Sequence, residues 1–387
     1  MNGSWQLPEE LQGLQKVARD FVQREIRPVE ETLDSDAYML PAEALAAASK
    51  KARQAGIWCV NSPAAYGGSE MSMLAQVLVA EEASQCRMGA YVPAGGAFGW
   101  DPPNVIYRGT EEQIQKYAVP TIAKGGKTFV AISEPSGGAD PARSIRTTAV
   151  RDGDSYVLNG TKTWISAANY SDWGVVFART SQGRHGVSCF IVEKDTPGLT
   201  MTPIPVIRSW YPCELSFQDC RIPAENLIGE EGRGFDLAQE WLNHGRVPYA
   251  AATLGIASAA LRMAISYAKD RQVFGGPLAE KQAIQWMIAD SEIEIRAARG
   301  LVYQAAWKAD RGEDYKFEAS ACKVYATETA GRVVDRCVQI FGGMGVAKEF
   351  PLERWYREMR IKRIGEGPSE VHRMVVARQL ISGKTKA

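Results

Sequence analysis

TTAVRDGDSYVLNGTKTWISAANYSDWGVVFART, residues 147–180, is the stretch from which the architecture of this chain can be read. Short β-branched and aromatic runs alternate in it with turn dipeptides. Asp152-Gly153 leads into Tyr156-Val157-Leu158, Asn159-Gly160 leads into Thr163-Trp164-Ile165, and Gly174-Val175-Val176-Phe177 follows. Asp-Gly and Asn-Gly pairs between β-formers predict antiparallel strands joined by tight turns. Val187–Val192 and Leu215–Phe217 continue the pattern to the turn-rich run Ile222-Pro223-Ala224-Glu225-Asn226 and the glycines from Gly229 to Gly234. The period differs on both sides. From Pro8 to about Lys124, Leu14, Val17, Ala18, Phe21 and Val22, and later Met71, Leu74, Val77 and Leu78, recur at helical spacing. Beyond Phe235, Ile284, Met287, Ile288, Ile295, Ala298, Leu301 and Val302 form one long apolar stripe, and Tyr325, Ala330 and Val333 belong to another. The expectation is a mainly α protein with a central β-domain: helical over 1–125, β over 126–235 and helical over 236–387.

Composition narrows the function. The 387 residues carry 45 basic and 45 acidic side chains, so no global field favours a polyanion such as nucleic acid. The most apolar tracts, such as Ala250–Ala264, are broken by Gly, Ser, Thr and Arg, which argues against a membrane span. Seven scattered cysteines without a C-x-x-C pair indicate neither a zinc site nor a disulfide framework, and with no leader pattern at the N-terminus they predict a cytoplasmic protein. Three histidines, each in a different region, leave little material for a His triad or a multi-histidine metal site. No G-x-G-x-x-G follows a strand and no P-loop occurs, so a nucleotide cofactor must be held by other means.

Six segments, in order along the chain, resemble the acyl-CoA dehydrogenase family. They are Phe129-Val130-Ala131-Ile132-Ser133-Glu134-Pro135 with Ser136–Asp140; Asn159–Ser166; Phe217–Pro223 running on to Gly232; Arg271-Gln272-Val273-Phe274-Gly275 with Gln282; Gln339–Gly345; and Tyr356-Arg357 to Gly365-Glu366-Gly367. The resemblance implies an N-terminal helical domain, a middle antiparallel β-barrel-like domain and a C-terminal four-helix bundle, with FAD held between the last two. It implies α,β-dehydrogenation of an acyl-CoA to the trans-2-enoyl thioester, electrons passing to electron-transferring flavoprotein, and a homotetramer. Glu366 would remove the α-proton, its own N–H and a flavin ribityl hydroxyl would polarise the thioester carbonyl, and the flavin N5 would take the β-hydride.

The same resemblance assigns flavin contacts to Phe129, Ala131, Ser133, Trp164 and Ser166. It assigns further FAD contacts to Phe274 and Gln282, cross-subunit FAD contacts to Arg271 and the Gln339–Gly345 loop with Gln339, Gly342 and Gly343, and substrate contacts to Arg246, Ala139 and Gly365. No metal is implied. Each residue has a plainer reading: Trp164 as buried core, the serines as turn hydroxyls, the glycines as helix caps, Arg246 as an interhelical ion pair, and Glu366, near Arg357, Arg360 and Arg363, as a solvated loop residue. Some relatives carry the base just before the arginine equivalent to Arg246, where this chain has Gly245. Gly365, Pro368 and Ala139 depart from the family pattern, and Gly365 reads as open space beside the base. Gly95, Gly96, Trp100 and Asp101 fall where relatives line the acyl tail. Competing readings are an oxidase or desulfinase-like relative and a non-catalytic FAD-bound or DNA-associated scaffold.

Overall fold

The computed structural model describes residues 7–89, 91–183, 186–208 and 210–385. His185, one of the three histidines, lies outside them. By compactness the chain forms two units, Trp58–Glu70 with Gly99–His244, and Met1–Ile57, Met71–Phe98 and Gly245–Ala387. This cuts the chain differently from hydrophobic period, because helices from its two ends share one body.

The first unit is built on an eight-stranded sheet: β1 (Lys127–Ala131), β2 (Thr148–Asp152), β3 (Ser155–Ile165), β4 (Ser171–Arg179), β5 (Val187–Glu193), β6 (Leu199–Pro203), β7 (Cys213–Pro223) and β8 (Leu227–Ile228). The strands run in the order β6-β7-β3-β2-β4-β5-β8, with β1 joining β4 off that path. The sheet is mostly antiparallel as expected, but β1 pairs with β4 in parallel, and so does the single bridge Thr148 to Arg179 between β2 and β4. The run Gly174–Ala178 lacks polar alternation because β4 is buried on both faces. Phe129, Val176, Phe190 and Phe217 fill one core, while Val175, Phe177 and Ile191 pack on the other side with Ile106, Ile114 and Tyr117.

Asp152-Gly153 opens the β2–β3 hairpin, with Asp152 paired to Ser155 and Gly153 at φ 60°. Asn159-Gly160 does not make a turn. It lies inside the 11-residue β3, where the β7 register slips between Leu158 and Gly160. A Cβ on Gly160 would stand 2.6 Å from Thr147 Oγ1, so glycine serves here as a bulge against a crossing backbone.

In the second unit four helices share one core: Ile256, Leu261 and Ala264 from Gly234–Asp270, Ile295 from Gln282–Asp310, Val333, Val334 and Phe341 from Lys316–Phe341, and Trp355 and Met359 from Leu352–Lys362. The early helix Met73–Ala83 is tied in by polar contacts. Arg299 forks onto the buried Glu81 at 2.6 Å, and Asp310 accepts the N–H groups of Met73 and Leu74 at the start of that helix. Contrary to the reading of Ala250–Ala264, Gly234–Asp270 is long and apolar enough to cross a membrane. However, 67% of its most apolar stretch is buried in the protein, as for a core helix.

Candidate active site

Glu366 lies in the loop between the helices Leu352–Lys362 and Ser369–Ile381, in the left-handed region at φ 57°. A non-glycine residue stays there only when its surroundings hold it. Two donors converge on its carbonyl, His372 Nε2 at 3.0 Å and Arg246 Nε at 3.3 Å. One residue on, Lys323 Nζ donates to the Gly367 carbonyl at 2.6 Å and reaches the Arg363 carbonyl at 3.4 Å. Gly367, at φ 94°, can only be glycine, since a Cβ would sit 2.9 Å from His372 Nε2. The loop is clamped from three sides.

His372 is fully buried, and burial together with the Arg246 charge pulls its ring down to about 3, so it is neutral. A carbonyl only accepts, so Nε2 carries the proton, and Nδ1 is left buried without a partner. Glu366 itself is half-buried, with Oε2 shielded from solvent and unbonded. Burial raises its carboxyl above the usual range, against the pull of Arg246, Lys362 and Lys323. A shielded carboxylate with an open acceptor and a raised pKa is poised to take a proton from carbon.

Arg357, Arg360 and Arg363 are not the arginines that face it. Arg357 pairs with Glu353 at 2.9 Å, and Arg360 and Arg363 are exposed. Glu370 is exposed as well. Gly365 does not leave open space: a Cβ there would stand 2.7 Å from the Tyr249 hydroxyl, which hydrogen-bonds the Lys362 carbonyl at 3.3 Å. Lys323, Lys362, His372, Tyr249 and Tyr91 went unread as site residues. The one signal for Lys323 was a lysine on the apolar stripe of its helix, beside Ala319, Cys322 and Ala326.

In the sheet unit, Trp164 is not core. It is 59% exposed at φ 63°, between the buried Thr163 and Ile165. Ser166 is exposed, and its Oγ accepts from Arg208 at 3.1 Å. The Ser133 carbonyl accepts the Thr163 N–H at 2.9 Å, which brings Ser133 beside Trp164. The next residue fixes that loop: Glu134 meets the fully buried Lys162 at 2.8 Å and accepts the N–H groups of Arg146 and Thr147. Burial drags the Lys162 ammonium down to about 8 in spite of Glu134. Phe129 and Ala131 are buried in the sheet core, which leaves their main chain as the part open to a ligand. Ala139 is exposed on the loop after β1. Asp101 is occupied structurally, accepting from Ser62 Oγ at 2.6 Å and from the Asn61 and Ser62 N–H groups, and Gly95 packs on Leu40.

In the helical unit, Arg271, Phe274, Gln282, Gln339, Gly342 and Gly343 are all exposed. Phe274 is 99% exposed at φ 48°, on the tip between the short strands Gln272–Val273 and Gly276–Pro277. Gly342, at φ 59°, ends its helix, and a Cβ on either glycine would meet nothing. An exposed indole on strained backbone fits an aromatic cofactor ring, and bare glycine backbone fits a close-lying phosphate chain.

A half-buried carboxyl on strained backbone in the helical unit and an exposed indole on strained backbone in the sheet unit are each what a flavin-dependent oxidoreductase needs. Family models for the acyl-CoA dehydrogenase N-terminal, middle and C-terminal domains match residues 8–126, 130–220 and 232–381. The chain belongs to the acyl-CoA dehydrogenase family. It is 39% identical to acryloyl-CoA reductase (NADH) of Anaerotignum propionicum, over 97% of this chain and 95% of that protein. Among solved structures, butyryl-CoA dehydrogenase from Megasphaera elsdenii superposes with a TM-score of 0.87 at 34% identity, covering 98% of this chain and 100% of the other. A chain in a structure described as the electron transferring flavoprotein of Acidaminococcus fermentans does so with a TM-score of 0.87 at 36% identity, covering 98% and 99%. This chain is accordingly an oxidoreductase acting on a CH–CH bond, with a flavin cofactor.

Proposed function

We propose that the protein is an FAD-dependent acyl-CoA dehydrogenase that forms the trans-2-enoyl thioester and passes its electrons to electron-transferring flavoprotein. The observation that carries this reading is the shielded, unbonded Oε2 of Glu366 on a backbone pinned by His372, Arg246 and Lys323. Glu366 takes the α-proton. Its main-chain N–H, on the clamped loop, would donate to the thioester oxygen as negative charge develops there. Trp164 would give the bound flavin ring a face to stack on, and Ser133 and Ser166 would offer it hydrogen bonds. The bound flavin supplies the acceptor for the β-hydride.

Arg271, Phe274, Gln282, Gln339, Gly342 and Gly343 form the second part of the FAD site, completed in a homotetramer; the exposure of Phe274 and of Val346 supports an interface there. Seven cysteines, all buried as free thiols, support a cytoplasmic location. The likeness to an NADH-linked acryloyl-CoA reductase supports a second reading, in which the same site runs towards saturation and Glu366 returns the proton.

Anaerobic stopped-flow reduction of the flavin by a panel of acyl-CoA thioesters tests the assignment. Glu366→Gln should bind FAD and thioester while flavin reduction slows by at least about 100- to 10,000-fold. Near-normal reduction in that variant would place the base elsewhere.

A further inference from the structure

In the sheet unit, one hydrogen bond ties a proposed flavin contact to a buried cation. Ser166 is exposed, and so is Trp164, with the buried Ile165 between them. The backbone beyond Ser166 is fixed: Ala167 sits in the left-handed region at φ 66°, and its carbonyl accepts from Ser171 Oγ at 2.8 Å. Arg208 Nη2 donates to Ser166 Oγ at 3.1 Å. A hydroxyl that accepts on one side still has its own proton to give, so this contact leaves Ser166 able to donate to a ligand.

Arg208 is a cation only 5% exposed, and it comes from a segment 42 residues further along the chain. Its guanidinium lies over the Trp210 ring, 5.6 Å from the centre. That indole is itself buried and packs at a tilt against Trp100 and Tyr170, with ring centres 5.7 Å and 6.3 Å away. A planar guanidinium can rest on a ring and donate from its edge at once, which holds the charge behind the hydroxyl with little freedom. In buried surroundings a hydrogen bond from a cation polarises the group that accepts it and makes that group a stronger donor in turn.

We infer that Arg208 is a positioning residue for the redox step: acting through Ser166, it makes that hydroxyl a stronger hydrogen-bond donor to the flavin ring and so favours the reduced form of the cofactor. The inference rests on Ser166 contacting the flavin. A reduced ring is richer in electrons than an oxidised one, and a polarised hydroxyl hydrogen at its edge stabilises the richer state more. An arginine that merely anchored its loop to the sheet would leave that balance where it was.

The midpoint potential of the bound flavin, read in the holoenzyme by reductive titration against reference dyes with no thioester present, tests this. Arg208→Gln keeps a donor and removes the charge, and should shift the ratio of reduced to oxidised flavin about 10-fold towards the oxidised form, which is about 30 mV for two electrons. Arg208→Lys keeps the charge and should stay within about threefold of the wild type. Ser166→Ala should show the fall by itself, and Arg208→Gln added to it should change little, because the effect runs through the hydroxyl. An unshifted potential in Arg208→Gln overturns the inference, as does a lysine variant no better than glutamine, or a second loss of the same size in the double variant. If the glutamine variant does not hold flavin, the lysine variant decides alone: a ratio within about threefold of the wild type supports the inference, and a fall of about 10-fold overturns it. A Ser166→Ala protein whose potential and flavin absorption both match the wild type would overturn the Ser166 contact itself, and the inference with it. A shift in Ser166→Ala without one in Arg208→Gln overturns the inference alone.

Discussion

A single methyl group is enough to probe the packing beside the base. Gly365→Ala would push Cβ to 2.7 Å from the Tyr249 hydroxyl, at the end of a side chain that can swing but would lose its bond to the Lys362 carbonyl. The expected cost is about 1–3 kcal/mol in urea unfolding, most of it recovered when Tyr249→Phe removes the obstructing oxygen. Strictly additive costs in the double variant would refute this contact. His372 makes a second prediction, through pH. Its folded pKa, about 3, lies below the unfolded value near 6.5, so the unfolded chain binds the proton more tightly between those limits. The stability tied to the neutral ring is therefore complete above about pH 6.5 and is lost as pH falls towards 3. Glu366 works in the opposite sense: its raised pKa favours the folded state at low pH, and that advantage fades as pH rises past the ordinary carboxylate value. His372→Gln keeps a donor near the Glu366 carbonyl and cannot titrate, so unfolding free energy measured from pH 7 to 4 should fall less steeply than in the wild type. An unchanged slope would mean that the ring is not buried neutral.

One carboxylate from a distant helix finishes the Met73–Ala83 element. Ser72 caps it locally, accepting the Ala75 N–H at 3.3 Å, while Asp310, from the end of another helix, takes the Met73 and Leu74 N–H groups. Asp310→Ala should cost about 1–2 kcal/mol, and hydrogen exchange should quicken first in the opening turn of Met73–Ala83. Uniform loss of protection across all helices would show that the cap is not local. That cap was beyond the reach of the sequence, because the partners are 237 residues apart. The strands themselves were readable, since β-branched runs with period 2 and an Asp-Gly turn state their geometry locally. Asn159-Gly160 misled for the same reason. A turn and a bulge both call for a glycine with an unusual backbone, and only the approach of Thr147 decides between them.

For the whole molecule, the order of motifs along the chain was enough to identify the family, because that is a property of the linear sequence, and it supplied Glu366 as the candidate base. Of the groups around Glu366, only Arg246 was given by the resemblance; Lys323, Lys362 and the neutral His372 were not, since they are brought to it only by folding. Assembly supplies a prediction at this scale. Phe274→Ser should shift the protein to smaller species by light scattering and loosen its flavin in parallel, because the strained tip is expected to be both interface and cofactor site. Full flavin retention by a dissociated protein would separate the two roles. The seven buried thiols also carry a consequence. Cys59, Cys189, Cys213 and Cys220 belong to the sheet unit, and Cys86, Cys322 and Cys337 to the helical one. None meets a reagent in solution until its surroundings open, so the native chain is shielded from alkylation and oxidation by its packing rather than by thiol chemistry. Peptide-resolved alkylation would therefore time the opening of each unit by its own internal clock, distinguishing a protein that comes apart in halves from one that unfolds in a single step.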